Sequence, residues 1–184
     1  MRELIGFGYW RSLYEPTLPD PAWFVDASWA ATERQQVAAY LSQGHAFWYC
    51  MGFSWCRFRC AVSPGAMGAA DFTDGTYCWP EGLSHYISKH NLRLPESIVQ
   101  HILAQPLFPT AQARLVSMSS EVDLTWWCSQ KGWNTSNNSF LSQTDREIKE
   151  FLRRYDQNKL GLEEYTAAGI EAIKQLVQEL KNNL

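Results

Sequence analysis

The chain has 184 residues, of which 46% are hydrophobic and 19% are charged, and its formal net charge is −3. This length and composition predict one folded domain, with or without a small helical appendage, and exclude wholesale disorder. The net negative charge excludes a general electrostatic attraction to nucleic acid or anionic membrane, and no segment approaches the ~18 apolar residues of a membrane span.

The first third of the chain predicts a strand, a loop and a helix, in that order. The stretch "LIGFGYW" alternates in the manner of a strand, and three prolines in "EPTLPDPAW" then interrupt regular structure. Thr32 and Gln35 have the spacing of a helix capping box, and an apolar stripe follows them until Gly44. We therefore expect a helix that begins at Thr32.

The middle of the chain is predicted to be rich in strands. Residues 45–53 form a short apolar run, and "CRFRCAV" over residues 56–62 alternates between apolar residues and arginines. The dipeptide Asp74-Gly75 favours a tight turn that pairs "AADF" with "TYCW" as a hairpin. These patterns are typical of a small, mostly antiparallel sheet.

Two helices are predicted after the hairpin. Pro80 suits the first turn of a helix, on which Leu83 faces the core while Glu81 and His85 lie on the polar side. A second helix is expected to open at Pro95.

The carboxyl-terminal part predicts a helical pair. Residues 129–143 have the composition of a linker, and Thr144 with Glu147 marks the start of an amphipathic helix, which a second one follows. We expect the two helices to form an antiparallel hairpin. The predicted architecture is thus an α+β core domain, residues 1–142, and a helical hairpin, residues 143–184, packed on it or used for interaction.

The five cysteines invite a test for a metal site. Cys56 and Cys60 are four residues apart, and on an extended strand such positions lie ~13 Å from each other. Two thiolates at ~2.3 Å from one zinc ion cannot be that far apart. The sequence therefore favours buried, reduced cysteines, with neither a metal nor another cofactor. Only a bulge or loop in place of the strand would permit a metal site.

Acid–base chemistry and binding each have candidate residues. Glu81 lies four residues before His85 with Asp74 upstream, so a carboxylate could orient the imidazole for catalysis. Arg57 and Arg59 would bind an anionic group. The alternative is a solvated helix face, and no phosphate-binding or nucleophile-elbow motif accompanies these residues.

Aromatic residues make up 14% of the chain, and they fit either a contact surface or an aromatic core. Tyr77 and Trp79, which share one face of the predicted hairpin, are further binding candidates.

The segment "MGFSWCRFRC…MGAADFTDGTYCWPEGLSHYISKHNLRLP" is similar to a recurrent segment of uncharacterised bacterial proteins. In these, a small strand hairpin carries T-D-G-x-Y-x-W-P-E-G-L-x-H-Y, followed by a distal histidine and Leu-Pro. The resemblance implies a bacterial source and covers about a quarter of the chain, without implying catalytic roles. The positions that match the pattern are Asp74, Gly75, Trp79, Pro80, Glu81, His85 and His90.

Taken together, these features favour a cytoplasmic protein that acts by protein–protein interaction, such as an immunity-type inhibitor or an adaptor. Exposed aromatics and the amphipathic carboxyl-terminal helices would contact the partner. The alternative is a small enzyme that uses Glu81 and His85 on an anionic substrate. Nucleic acid is disfavoured as a partner because of the charge, and no membrane partner is expected.

Overall fold

A five-stranded sheet is the centre of the computed structural model, which describes residues 3–63, 65–106, 113–134 and 143–182. The strands are β1 (Glu3–Gly6), β2 (His45–Tyr49), β3 (Ala70–Thr73), β4 (Tyr77–Pro80) and β5 (Glu121–Asp123). They lie side by side in the order β2-β3-β4-β1-β5, so that β2 and β5 form the two edges.

The α+β prediction is confirmed, but the sheet is mixed rather than mostly antiparallel. β3 pairs in antiparallel fashion with both β2 and β4, whereas β1 runs parallel to β4 and to β5. Because long connections separate β1 from β4 and β4 from β5, the chain can return to the same end of the sheet before each strand, as parallel pairing requires. The predicted hairpin is present, with Phe72 opposite Trp79 and a φ of 93° at Gly75.

In the described ranges, six α-helices surround or follow the sheet. They are α1 (Ala31–Leu41), α2 (Leu83–His90), α3 (Glu96–Leu103), α4 (Thr125–Cys128), α5 (Gln143–Asp156) and α6 (Ala167–Asn182). α2 begins three residues later than predicted, because Pro80 is the last residue of β4. Within the described ranges, none of these helices has both the length and the apolar character needed to cross a bilayer.

The main core is aromatic. Trp79 is 1% exposed, donates its indole N–H to the Leu41 carbonyl at 3.0 Å, and packs against Phe7 and Tyr40. Trp127 is fully buried and packs on Phe7. Much of the aromatic content therefore holds the helices to the sheet.

The two carboxyl-terminal helices share a separate small core. Its buried members are Ile148, Leu152, Val177 and Leu180. Leu13 packs against this cluster, and Arg11 forms a buried ion pair with Asp145 at 3.4 Å, so the amino-terminal segment contacts the helices directly.

The arrangement of α5 and α6 departs from a simple hairpin. Lys181 contacts Asp156 at 3.0 Å, which joins the carboxyl ends of both helices. A regular antiparallel hairpin would instead place the carboxyl end of the first helix beside the amino end of the second. The predicted linker extends through residues 135–142, which lie outside the described residues, as does the predicted boundary at residue 142.

Candidate metal centre

The segment from Cys56 to Cys60 forms a turn, so the prediction of a strand over residues 56–62 is wrong. The Arg59 N–H donates to the Cys56 carbonyl at 2.9 Å, and Arg59 adopts a left-handed conformation with φ of 53°. The Tyr86 hydroxyl accepts a hydrogen bond from the Arg57 N–H at 2.9 Å, which fixes the turn on α2. The turn reverses the chain and brings the two cysteines together.

Four potential metal ligands meet where this turn packs on α2. The Sγ atoms of Cys56 and Cys60 and the ring nitrogens of His85 and His90 all lie within 4.8 Å of one another. Cys56 Sγ is 3.3 Å from His90 Nε2, and Cys60 Sγ is 3.2 Å from His85 Nε2. The two Nε2 atoms are 3.2 Å apart. The predicted 13 Å separation of the cysteines is therefore wrong, and the geometric argument against a metal site no longer applies.

These separations match a tetrahedral zinc site. Zn–S bonds of about 2.3 Å and Zn–N bonds of about 2.0–2.1 Å imply S···N and N···N separations of roughly 3.3–3.6 Å. The three shortest contacts of the cluster, at 3.2–3.3 Å, fall within a few tenths of an ångström of that geometry, and the remaining ligand atoms are within 4.8 Å of one another. A single cation could therefore be shared by all four side chains.

The protonation states of the cluster also depend on its burial. Cys56 is 2% exposed, and burial raises the pKa of its thiol to about 11, so a thiol without metal keeps its proton at neutral pH. Burial lowers the pKa of His85 and of His90, with Lys89 and His85 respectively adding to the effect. The two imidazoles are thus held neutral, which is the state that binds a metal ion.

A shallow cleft of about 390 Å³ opens beside the cluster. Its walls include Cys60, His85 and His90, with Lys89 at its exposed rim. Cys56 lies deeper, within the main core. The cleft therefore provides a path by which a metal ion can reach ligands that are otherwise enclosed.

The three residues proposed from sequence as an acid–base group are separated into different networks. Glu81 accepts hydrogen bonds from the backbone N–H groups of Ala69 and Ala70, at 3.0 and 3.1 Å. His85 faces Cys60, as described above. Glu81 thus has a structural contact at the start of β3, and His85 belongs to the cysteine–histidine cluster.

Asp74 forms a third network. One oxygen accepts the N–H groups of Thr76 and Tyr77, both at 2.8 Å, and so stabilises the hairpin turn. The other contacts the Tyr40 hydroxyl at 2.9 Å and the His101 ring nitrogen at 2.7 Å. His101 was not singled out by the sequence, because it is isolated along the chain and meets Asp74 only through packing of α3.

The proposed binding residues also differ in their positions. Trp79 is in the core, and Tyr77 is half-buried against His101. The guanidinium groups of Arg57 and Arg59 both lie over the Trp55 ring, at 4.3 and 3.7 Å from its centroid. Arg59 is exposed and Arg57 is half-buried like Tyr77, and the two arginines share their surface with an aromatic ring.

His90 is the member of the cluster that sequence reasoning misses most clearly, since its position on the apolar face near the end of the predicted helix favours packing or capping. The spacing C-x3-C…H-x4-H, with both histidines on one helix, is the available signal. No known family model matches the chain, and neither curated proteins nor solved structures include a match. Function must therefore be inferred from the chemistry of the site.

Proposed function

We propose that this protein binds one zinc ion through Cys56, Cys60, His85 and His90 and acts by protein–protein interaction. The convergence of four ligand atoms within 4.8 Å carries the zinc proposal. Two thiolates and two imidazoles in tetrahedral array are typical of zinc, whereas calcium and magnesium take oxygen ligands. Because protein atoms fill all four positions, the site has the form of a structural centre rather than a catalytic one.

The structural role concerns the segment between β2 and β3, residues 50–69. In its described part this segment has neither helix nor strand, and it contributes two of the four ligands. Zinc would join this segment to α2 through coordinate bonds, since both histidines belong to that helix. The same segment exposes Met51 fully and Phe53 by 71%, so the metal would hold a surface rich in apolar side chains.

An exposed apolar surface on a metal-held loop supports the interaction role, in the manner of an immunity-type inhibitor or adaptor. The apolar faces of α5 and α6, which the sequence also offered for partner binding, instead pack on each other and on Leu13. A zinc–thiolate centre requires reduced cysteines, which agrees with the cytoplasmic location expected from the sequence. The enzyme alternative has less support, because Glu81 and His85 have separate partners.

Metal analysis of the purified protein tests the zinc proposal. Protein prepared with a thiol-free reductant is expected to contain one zinc per chain. Replacing Cys60 with serine or His90 with glutamine removes a ligand. Loss of a residue that only hydrogen-bonds to a metal ligand lowers metal affinity roughly 10–100-fold. Loss of a ligand itself should lower zinc affinity by more than this.

Cys50→Ser and His45→Gln are the matched controls, since both residues lie outside the cluster and Cys50 is exposed. These variants should keep the full zinc content. A wild-type protein that purifies without zinc and fails to take it up would refute the proposal, as would ligand variants that retain as much zinc as the controls.

A further inference from the structure

β2 is an edge strand that lacks the usual protection of such strands. It pairs with β3 on one side, and in the described part of the chain no strand lies on its other side. Proteins commonly guard a sheet edge with lysine, other charges or proline, because its free N–H and C=O groups can pair with another chain. Residues 45–55, which cover β2 and the loop after it, contain no Asp, Glu, Lys, Arg or Pro.

Large apolar side chains accompany this edge. Five of them, each at least 40% exposed, form what we term the edge surface: Trp48, Tyr49, Met51, Phe53 and Trp55. At about 200 Å² for each large side chain, their exposed fractions amount to roughly 650 Å². Trp48 and Tyr49 are successive residues of β2 and therefore point to opposite faces of the sheet, so this exposed apolar area is spread over both faces beside the edge.

The chemistry of the edge surface favours a like partner over a charged one. The two arginines that adjoin it are already engaged: both stack on Trp55, and Arg59 also contacts Glu147 at 2.7 Å. Phosphates of a single-stranded nucleic acid, or carboxylates of an acidic peptide, would have to displace these contacts. A second uncharged edge surface requires no such exchange.

We propose that two copies of the chain associate through antiparallel pairing of their β2 strands, with the two edge surfaces packed together. Antiparallel pairing of identical strands produces a two-fold interface, the commonest form of dimer, and joins two five-stranded sheets into one. Complete burial of both edge surfaces would remove roughly 1,300 Å², an upper value that lies within the range of stable interfaces. This inference rests on the proposed interaction function and names a second copy as the partner.

The molecular mass of the zinc-loaded full chain in solution tests this proposal. Light scattering coupled to size exclusion, over a wide concentration range, should give twice the chain mass of 21.2 kDa. Tyr49→Lys and Met51→Glu each place a charge in the interface and should raise the dimer dissociation constant at least tenfold. Met51 is fully exposed, so its replacement leaves the fold intact.

Tyr14→Lys is the matched control, because Tyr14 is 79% exposed and belongs to another part of the chain; this variant should remain dimeric. Zinc content measured on the same samples separates the two proposals. A monomeric wild type with one zinc per chain would overturn the dimer alone, whereas a protein without zinc would overturn the metal centre. A monomer whose tryptophan fluorescence is quenched by oligothymidylate would assign the edge surface to nucleic acid and also overturn the dimer.

Discussion

Removal of zinc with a chelator is expected to lower the melting temperature of the protein by about 10 °C. A ligand that binds only the folded state, present at about a thousand times its dissociation constant, stabilises that state by roughly 4 kcal/mol. For a domain of this size each kcal/mol corresponds to about 2–4 °C. The protein is expected to stay folded at room temperature without zinc, because the core around Trp79 consists mainly of residues that are not ligands.

Calorimetry or circular dichroism in the presence of reductant, with excess zinc and then with excess chelator, measures this difference. The Cys56→Ser, Cys60→Ser double variant is the control, and its melting temperature should be the same in both buffers. The prediction is contradicted if the wild type releases its zinc, as shown by metal analysis, and melts at an unchanged temperature.

Replacing Trp79 with alanine is expected to lower the free energy of unfolding by about 3–5 kcal/mol. Large-to-small changes of buried aromatic residues cost this much, because they combine lost burial with a cavity. Trp79 is 1% exposed, contacts the rings of Phe7 and Tyr40, and donates to the Leu41 carbonyl that ends α1. Denaturant unfolding followed by circular dichroism measures the loss.

Two further variants separate core packing from other roles of Trp79. Trp79→Phe retains a ring but leaves the Leu41 carbonyl without its donor, so a smaller loss of about 1–3 kcal/mol is expected. Tyr14→Ala removes an aromatic ring that is 79% exposed and should change stability by less than about 0.5 kcal/mol. Equal stabilities of Trp79→Ala and Tyr14→Ala would contradict the assignment of Trp79 to the core.

Local sequence signals identified the parts of the fold that depend on neighbouring residues. The Asp74-Gly75 turn predicts the β3–β4 hairpin because glycine accepts the positive φ observed there. The spacing of Leu83, Tyr86 and Ile87 predicts the buried face of α2. The parallel pairing of β1 could not be predicted in this way, since its partners are about 70 and 120 residues away along the chain.

The cysteine–histidine cluster is not apparent from the sequence, because the local pattern of residues 56–60 is misleading. The alternation of Cys56, Arg57, Phe58, Arg59 and Cys60 has the period of a strand, yet the same spacing brings both sulfurs to one side of a tight turn. The turn depends on a left-handed conformation at Arg59, a residue type that rarely adopts it and therefore gives no sequence signal. Contacts with α2 determine this conformation, including the bond from Arg57 N–H to the Tyr86 hydroxyl.

The sequence pattern predicts that His85 and His90 lie on different faces of one helix. Positions five apart on a continuous helix point in different directions, so His85 was assigned to the polar face and His90 to the apolar face. α2 ends at His90, and Asn91 takes a left-handed conformation with φ of 54°. Both histidines lie on this one helix, and their rings nevertheless meet beside Cys56 and Cys60, with the Nε2 atoms 3.2 Å apart.

X-ray absorption spectroscopy at the zinc edge of the purified protein provides the sharpest check, because it reports the identity and distance of the atoms around the metal. Two sulfur scatterers at about 2.3 Å and two nitrogen scatterers at about 2.0–2.1 Å are expected for the side chains of Cys56, Cys60, His85 and His90. A zinc ion surrounded only by oxygen and nitrogen, with no sulfur neighbour, would show that the turn of residues 56–60 does not hold the metal.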